Sequence, residues 1–139
     1  MKSPYDHKIE LKVRDYECDM QGVVNNGVYQ NYLEHARHEF LLERGVSFAE
    51  ATLSGIKLVV VRAELDYKQP LSSSDRFMVY SRAQRLSRVR FVFFQNIYRI
   101  PDDCPILSAR IIGTSINARG RPFEPEFLTD LLDHTSTQS

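Results

Sequence analysis

Cysteine is scarce in this sequence: among 139 residues only Cys18 and Cys104 occur. They form neither the disulfide framework of a small secreted protein nor a close pair of metal ligands. A lone thiol such as Cys18 is more often a small packing residue than a nucleophile. The cysteine content therefore predicts a protein of a reducing compartment, the cytoplasm, without a thiolate metal site.

Net charge and long apolar runs are also lacking. Eighteen Lys and Arg residues balance 18 Asp and Glu residues, so no overall field favours nucleic acid or an anionic membrane surface. No apolar run approaches the roughly 20 residues that a membrane helix needs, and residues 1–7 lack the apolar core of a signal peptide. These absences predict no nucleic-acid partner, no membrane span and no export.

Length and composition are those of one ordinary globular domain. The chain is 42% hydrophobic and 26% charged, and 139 residues suffice for one hydrophobic core. We therefore expect a single domain over residues 1–139, with the polar residues 135–139 as a flexible tail.

Hydrophobic periodicity predicts a strand and then a long helix. Strict alternation over residues 8–14 is typical of a strand with one solvated face. Over residues 28–44 the apolar side chains recur at steps of three and four, which indicates an amphipathic helix. Asn25 and Asn26 are suited to cap its start, and Gly45 is suited to end it.

The second half of the sequence is rich in strands. A short helix is predicted at 47–53, strands at 56–67, 76–85, 88–99 and 106–117, a turn at 119–122 and a last helix at 124–134. Short connections predict that successive strands are antiparallel neighbours. The expected class is α+β, an antiparallel β-sheet wrapped around one long central α-helix.

Several motifs resemble those of a known enzyme family. The segment Asp19-Met20-Gln21-Gly22-Val23-Val24-Asn25-Asn26, followed by Tyr29 and by Glu34-His35-Ala36-Arg37, resembles the signature of the 4-hydroxybenzoyl-CoA thioesterase group, whose members have the hotdog fold. Segments 59–62 and 120–122 are similar to those of bacterial acyl-CoA thioesterases. Segments 13–17 and 37–41 resemble plant acyl-lipid and methylketone-synthase thioesterases. The resemblance covers nearly the whole chain.

The resemblance implies an enzyme of fatty acid metabolism that hydrolyses an acyl-CoA or acyl-carrier-protein thioester to a carboxylic acid and a thiol. It implies no metal and no cofactor other than the CoA or phosphopantetheine arm of the substrate. It also implies a homodimer in which two sheets join edge to edge with each active site at the interface. Pairing of such dimers into a homotetramer is left open.

Asp19 is the predicted catalytic carboxylate. In the family, the carboxylate at this position attacks the thioester carbon or activates water, and both mechanisms remain open here. A carboxylate in a loop just before a helix lies near the positive end of the helix dipole, which favours its ionised form. Free backbone N–H groups around Gly27 and Val28 would bind the developing oxyanion. The alternative is an Asp that only hydrogen-bonds the backbone of a turn.

Three further residues complete the predicted catalytic set. Asn26 is expected to contact substrate or to fix the loop, with helix capping as the alternative. In the relatives an acid and an arginine at positions 34 and 37 lie at or near the site. Glu34 would therefore orient water, and Arg37 would hold the loop that carries Asp19. The alternative for this pair is a surface ion pair worth about 0.3 kcal/mol.

The predicted substrate-binding residues fall on three segments of the chain. They are Tyr29, Val59, Val60, Val61, Arg62, Ser87 and Arg88. Ser87, Arg88 and Arg90 open the strand after a tight connection, where related enzymes bind the phosphates or pantetheine of CoA. Arg85 would contribute to this patch, although a solvated turn is the alternative. Tyr29, Val59, Val61, Phe91 and Phe93 are candidates to line an acyl tunnel, although such residues are far more often plain core.

Two other functional classes remain open at this point. A hotdog hydratase or dehydratase would need a histidine aimed at the substrate carbons, and His35 is the nearest candidate. A non-catalytic acyl-CoA-binding module would need only the fold. His35 and His38 are not expected to bind a metal, because no second cluster of ligands lies at suitable spacing. The acyl group and its carrier are left undecided.

Overall fold

The structure is a computed structural model that describes residues 5–135. Within these residues lie three α-helices: α1 (Asn26–Glu43), α2 (Phe48–Leu53) and α3 (Glu126–Thr135). The strands are β1 (His7–Lys12), β2 (Lys57–Tyr67), β3 (Arg76–Arg85), β4 (Arg90–Ile100), β5 (Cys104–Ile116) and β6 (Pro122–Phe123). One 3₁₀ turn, Asp15–Glu17, precedes α1. No helix within residues 5–135 is both long and apolar enough to cross a bilayer.

All pairings in the sheet are antiparallel, and the strand order is β1-β3-β4-β5-β2, with β6 beside β5. One face of this sheet shares a single hydrophobic core with α1 and α3. The predicted α+β class, an antiparallel sheet packed on one long helix, is confirmed.

The buried face of α1 follows the periodicity of its sequence. Leu33, Ala36 and Phe40 are fully buried at steps of three and four residues, which is the spacing of one helical face. The helix begins at Asn26, two residues earlier than predicted. The reason is that Asn25 is the N-cap: its backbone is extended and its side chain accepts the Gly27 N–H, so Asn26 already belongs to the helix.

The position of β2 corrects the prediction that successive strands are neighbours. The hairpins β3–β4 and β4–β5 are confirmed. Strand β2, however, pairs with β5, and β3 pairs with β1 and β4. Strands β4 and β5 therefore lie between β3 and β2 in the sheet. The connection over residues 68–75 is long enough to cross between them. As a result β2 is an edge strand.

Most other boundaries shift by one or two residues from the prediction, and the shifts at β5 and β6 have a local explanation. Strand β5 begins at Cys104 rather than at residue 106, because Pro105 is accommodated at a register shift opposite Tyr98. Residues 119–122 were predicted as a turn, but Pro122 already belongs to β6. A strand of two residues has no periodicity to reveal it. In the predicted flexible tail 135–139, Thr135 ends α3 and residues 136–139 lie outside the described part.

Candidate active site

A closed loop precedes α1 and carries Asp19. Cys18 and Val24 form an antiparallel bridge across the base of the loop, and the Asn25 N–H donates to the Glu17 carbonyl (3.0 Å). The Val24 N–H donates to the carbonyl of Leu71 (2.8 Å), which ties the loop to the segment after β2. The loop is therefore held firmly against the helix start.

Asp19 opens the tight turn at the tip of this loop. Its carbonyl accepts the Gly22 N–H (3.0 Å), and Gly22 has a φ of 82°, a conformation that favours glycine. Its Oδ1 accepts the Gln21 N–H (2.9 Å), while Oδ2 has no partner among the described residues. The side chain is exposed. Asp19 thus has the turn-forming role that was considered from the sequence. This role uses Oδ1 and leaves Oδ2 without a partner among the described residues.

The backbone amides at the helix start differ from the prediction. The Gly27 N–H donates to Asn25 Oδ1 (3.0 Å) and the Val28 N–H to the Asn25 carbonyl (2.9 Å), so neither is free to bind an oxyanion. The Asn26 N–H has no acceptor among the described residues. Sequence reasoning missed this because both asparagines are equally suited to cap a helix, and only the backbone geometry selects Asn25.

The cavity at the helix start has a volume of about 210 Å³ and is lined in part by Val23, Asn26, Tyr29 and Tyr67. The Tyr67 hydroxyl donates to the Asn26 carbonyl (3.5 Å), and its ring packs edge-on against Tyr29 (5.5 Å). Tyr29 is itself buried, and its hydroxyl accepts the N–H of Leu71 (3.0 Å). Tyr29 therefore serves as a wall of this cavity, with its polar atom already bonded.

Glu34 and Arg37 lie farther along α1, on the side that faces β2. Glu34 is exposed, whereas Arg37 is half-buried and its Nη1 donates to Gln95 Oε1 (3.0 Å). Burial lowers the pKa of Arg37 to about 10, and the charge of Glu34 opposes that shift, so Arg37 stays charged at neutral pH.

Within one chain, Arg37 does not contact the Asp19 loop that it was predicted to support. Asn26 and Arg37 are 11 positions apart on α1, a rise of about 16 Å. The guanidinium instead holds β4 through Gln95, whose Nε2 donates to the Leu33 carbonyl (3.1 Å) and to Ser81 Oγ (3.0 Å). Arg37 thus fixes the orientation of α1 on the sheet.

Replacing Gln95 by leucine is expected to lower the free energy of unfolding by about 1–3 kcal/mol, because the half-buried Arg37 would lose its acceptor. Urea denaturation monitored by circular dichroism would measure the loss. The double variant Arg37→Met/Gln95→Leu removes both partners and should recover part of the stability. The account would be contradicted if the double variant lost as much stability as Gln95→Leu and Arg37→Met lose together when each is made alone.

The four predicted residues 59–62 lie on the edge strand β2. Val60 and Val61 are about half exposed, at a register shift between Val60 and Arg62. Arg62 forms an ion pair with Glu64 (2.6 Å). These residues line the open border of the sheet, and Val60 faces α1 across a groove.

Ser87 and Arg88 lie in the exposed turn between β3 and β4. Arg88 has no partner among the described residues. Arg85, predicted to contribute to the same patch, is instead bonded to Glu124 (2.7 Å) and Asp133 (2.9 Å), and these carboxylates hold its charge. Of the predicted cations at this turn, Arg88 and the exposed Arg90, which begins β4, therefore have no side-chain partner among the described residues.

One chain alone does not bring Arg88 to Asp19. Arg90, at the end of the Arg88 turn, pairs with Thr114 on β5, whereas Tyr67, beside the helix start, pairs with Leu107. Seven residues of an antiparallel strand span about 24 Å. The turn and the helix start therefore lie at opposite ends of the sheet.

Two histidines, His35 and His38, lie on α1. No group of His, Cys, Asp or Glu among the described side chains is arranged to hold a metal ion. His35 is exposed in a separate groove that Lys12, Arg14 and Tyr32 also line. Burial lowers the pKa of His38, which favours its neutral form.

Known proteins resemble this chain over most of its length. A family model described as the thioesterase-like superfamily matches residues 13–131. A chloroplastic acyl-acyl carrier protein thioesterase of Arabidopsis thaliana is 42% identical over 116 residues, which cover 84% of this chain and 61% of the plant protein. The chain thus spans about three fifths of the length of that relative.

Two bacterial proteins are matched over most of their own length. The long-chain acyl-CoA thioesterase FadM of Escherichia coli is 32% identical over 79% of this chain and 83% of its own. The crystal structure of a protein from Aquifex aeolicus superimposes with a TM-score of 0.84 at 28% identity, covering 91% of this chain and 98% of that one.

Proposed function

Because this chain belongs to the thioesterase-like superfamily, we propose that it hydrolyses an acyl thioester of CoA or of an acyl carrier protein to a free carboxylic acid and a thiol. The names of the plant and Escherichia coli relatives support both carriers. The reaction needs only water as co-substrate. Independence from a metal or bound cofactor stays a prediction, as does a cytoplasmic location.

The proposal rests on two groups near the helix start that have no partner among the described residues, Asp19 Oδ2 and the Asn26 N–H. The bridge between Cys18 and Val24 closes the loop that carries Asp19, two residues before Asn26 begins α1. The carbonyl oxygen of a thioester would accept the Asn26 N–H as negative charge develops on it. The Asp19 carboxylate would then attack the carbonyl carbon or take a proton from the attacking water.

The edge strand β2 supports the proposed homodimer. A strand with unpaired N–H and C=O groups and exposed Val60 and Val61 is a template for pairing with a second copy. Joining two sheets at this edge would place the groove between α1 and β2 of one chain against the second copy. In such an assembly, Arg88 of the second copy could approach Asp19 of the first. Tetramer formation stays a prediction.

The decisive experiment measures thiol release from panels of acyl-CoA and acyl-carrier-protein substrates. We expect thiol to appear stoichiometrically with carboxylic acid. A change of unsaturation without thiol would identify a hydratase, although His35 lies about 14 Å along α1 from Asn26. Binding without any turnover would identify an acyl-CoA-binding module, and either result would overturn the proposal.

Arg88→Ala is expected to raise the KM for acyl-CoA substrates by about 10- to 100-fold with little change in kcat, because one charge-assisted hydrogen bond to phosphate would be lost. Steady-state kinetics over a range of acyl-CoA concentrations would measure it. Lys8→Ala, which removes an exposed cation from the opposite edge strand, is the control. Equal effects of the two substitutions would rule out a specific phosphate contact.

A further inference from the structure

Three cavities lie in a row where residues 26–41 of α1 face residues 58–67 of β2, a line that we call the α1–β2 seam. The first, of about 210 Å³, is the cavity beside Asn26 and Tyr67. The second, of about 220 Å³, lies between Gln30 and Ala63. The third, of about 60 Å³, lies between Leu41 and β2.

The walls of the three cavities succeed one another along α1. The second and third cavities share Glu34, Arg37 and Val60. The first shares no lining residue with the second, but Tyr29 of the first and Leu33 of the second lie one helical turn apart on the same face of α1. The 15 positions from the helix start to Leu41 correspond to about 22 Å along α1. The seam is thus long and narrow, the shape of an extended hydrocarbon chain.

The third cavity is chiefly hydrocarbon. Its apolar walls include Leu41, Leu58, Phe91, Phe93, Ile111 and Leu128. The guanidinium of Arg37, at its border, is held by Gln95. Because apolar cavities of this kind bind apolar groups and exclude water, the cavity suits a methyl end and not a polar head.

The Phe91 ring packs directly against Gly113 on the neighbouring strand. A Cβ at position 113 would fall 2.7 Å from Phe91 Cζ and 2.8 Å from the Val59 carbonyl oxygen, so only glycine leaves room for the ring. Phe93 packs edge-on against the same ring (5.7 Å). A close backbone approach of this kind is a known reason for glycine inside a strand. Phe91 therefore forms a fixed wall of the third cavity.

We propose that the third cavity takes the methyl end of the substrate's acyl chain and that Phe91 sets the longest chain accepted. This inference rests on the proposed thioesterase function, with the thioester placed at Asn26. It assigns an aliphatic acyl chain that follows the α1–β2 seam over its whole length. Phe91 on β4 and Leu128 on α3 then determine specificity for chain length.

The test compares kcat/KM for a series of straight-chain saturated acyl-CoAs in the wild type, Phe91→Leu and Leu128→Phe. Phe91→Leu enlarges the cavity and should shift the preferred length upward, with about a tenfold gain for each methylene just beyond the wild-type limit. Leu128→Phe fills the cavity and should remove the longest chains from the wild-type range. The two opposite shifts distinguish the cavity from a general loss of activity.

Phe77→Leu is the matched control, because Phe77 is fully buried on β3 and lines none of the three cavities. It should scale all chain lengths equally. An unchanged preference in both cavity variants, with circular dichroism of folded protein, would overturn the inference. Should the wild type release no thiol at any length, the proposed function fails instead. Calorimetric titration with free fatty acids of the same lengths would then decide the cavity assignment, because the order of affinities must still shift.

Discussion

Replacing Asp19 by asparagine is expected to reduce kcat for thioester hydrolysis by about 10²–10⁴-fold while the fold stays intact. Asparagine retains an oxygen that accepts the Gln21 N–H, so the turn that now holds Asp19 Oδ1 is preserved. It loses the negative charge and basicity of the free oxygen. Thiol release under saturating substrate measures kcat, and far-ultraviolet circular dichroism checks the fold.

Asp130→Asn provides the matched control, since Asp130 is exposed on α3 and the same charge is removed away from the loop. Its kcat should equal that of the wild type. If Asp19→Asn retains more than about a tenth of the activity, Asp19 serves only the turn and the chemistry belongs to another group. A loss of activity accompanied by unfolding would instead make the residue structural.

Phe40→Ala is expected to lower the free energy of unfolding by about 3–5 kcal/mol. Phe40 is fully buried in α1, where its ring stacks on His7 (5.3 Å) and meets Phe93 edge-on (5.8 Å). Truncation leaves a cavity between the helix and two strands that these rings cannot close. Urea denaturation at one fixed protein concentration would measure the loss, because an oligomer's stability depends on concentration.

Leu42→Ala is the control for helix propensity and for loss of apolar surface on the same helix. Leu42 is 53% exposed, so its truncation should change stability by no more than about 0.5 kcal/mol. Similar losses for Phe40→Ala and Leu42→Ala would mean that α1 is not packed through the face that contains Phe40.

The helix and most strands were predictable because their signals are local. A helical face every three or four residues and a strand face every second residue appear directly in the order of apolar side chains. The partner of β2 was not predictable in this way. Strand pairing depends on how a connection crosses the sheet, and the apolar pattern within 57–67 is the same whichever neighbour is chosen.

The candidate site, too, was predictable only where its signals are local in the sequence. Asp19 was identified from a motif of contiguous residues, and its placement in a tight turn follows from neighbours such as Gly22. The free N–H was assigned to the wrong positions, because the choice of Asn25 as cap rests on the bridge between Cys18 and Val24 and on the tie to Leu71. The partner of Arg37 was missed since Gln95 is 58 residues away.

The sequence by itself determined the α+β class, the amphipathic helix and the family, since each is encoded by residues close together in the chain. Tertiary structure alone decided which amide is left unpaired, which residue holds Arg37, and that cavities line up between α1 and β2. The physical reason is that hydrogen-bond partners and packing gaps arise between distant segments. Their geometry exists only after the sheet has closed on the helix.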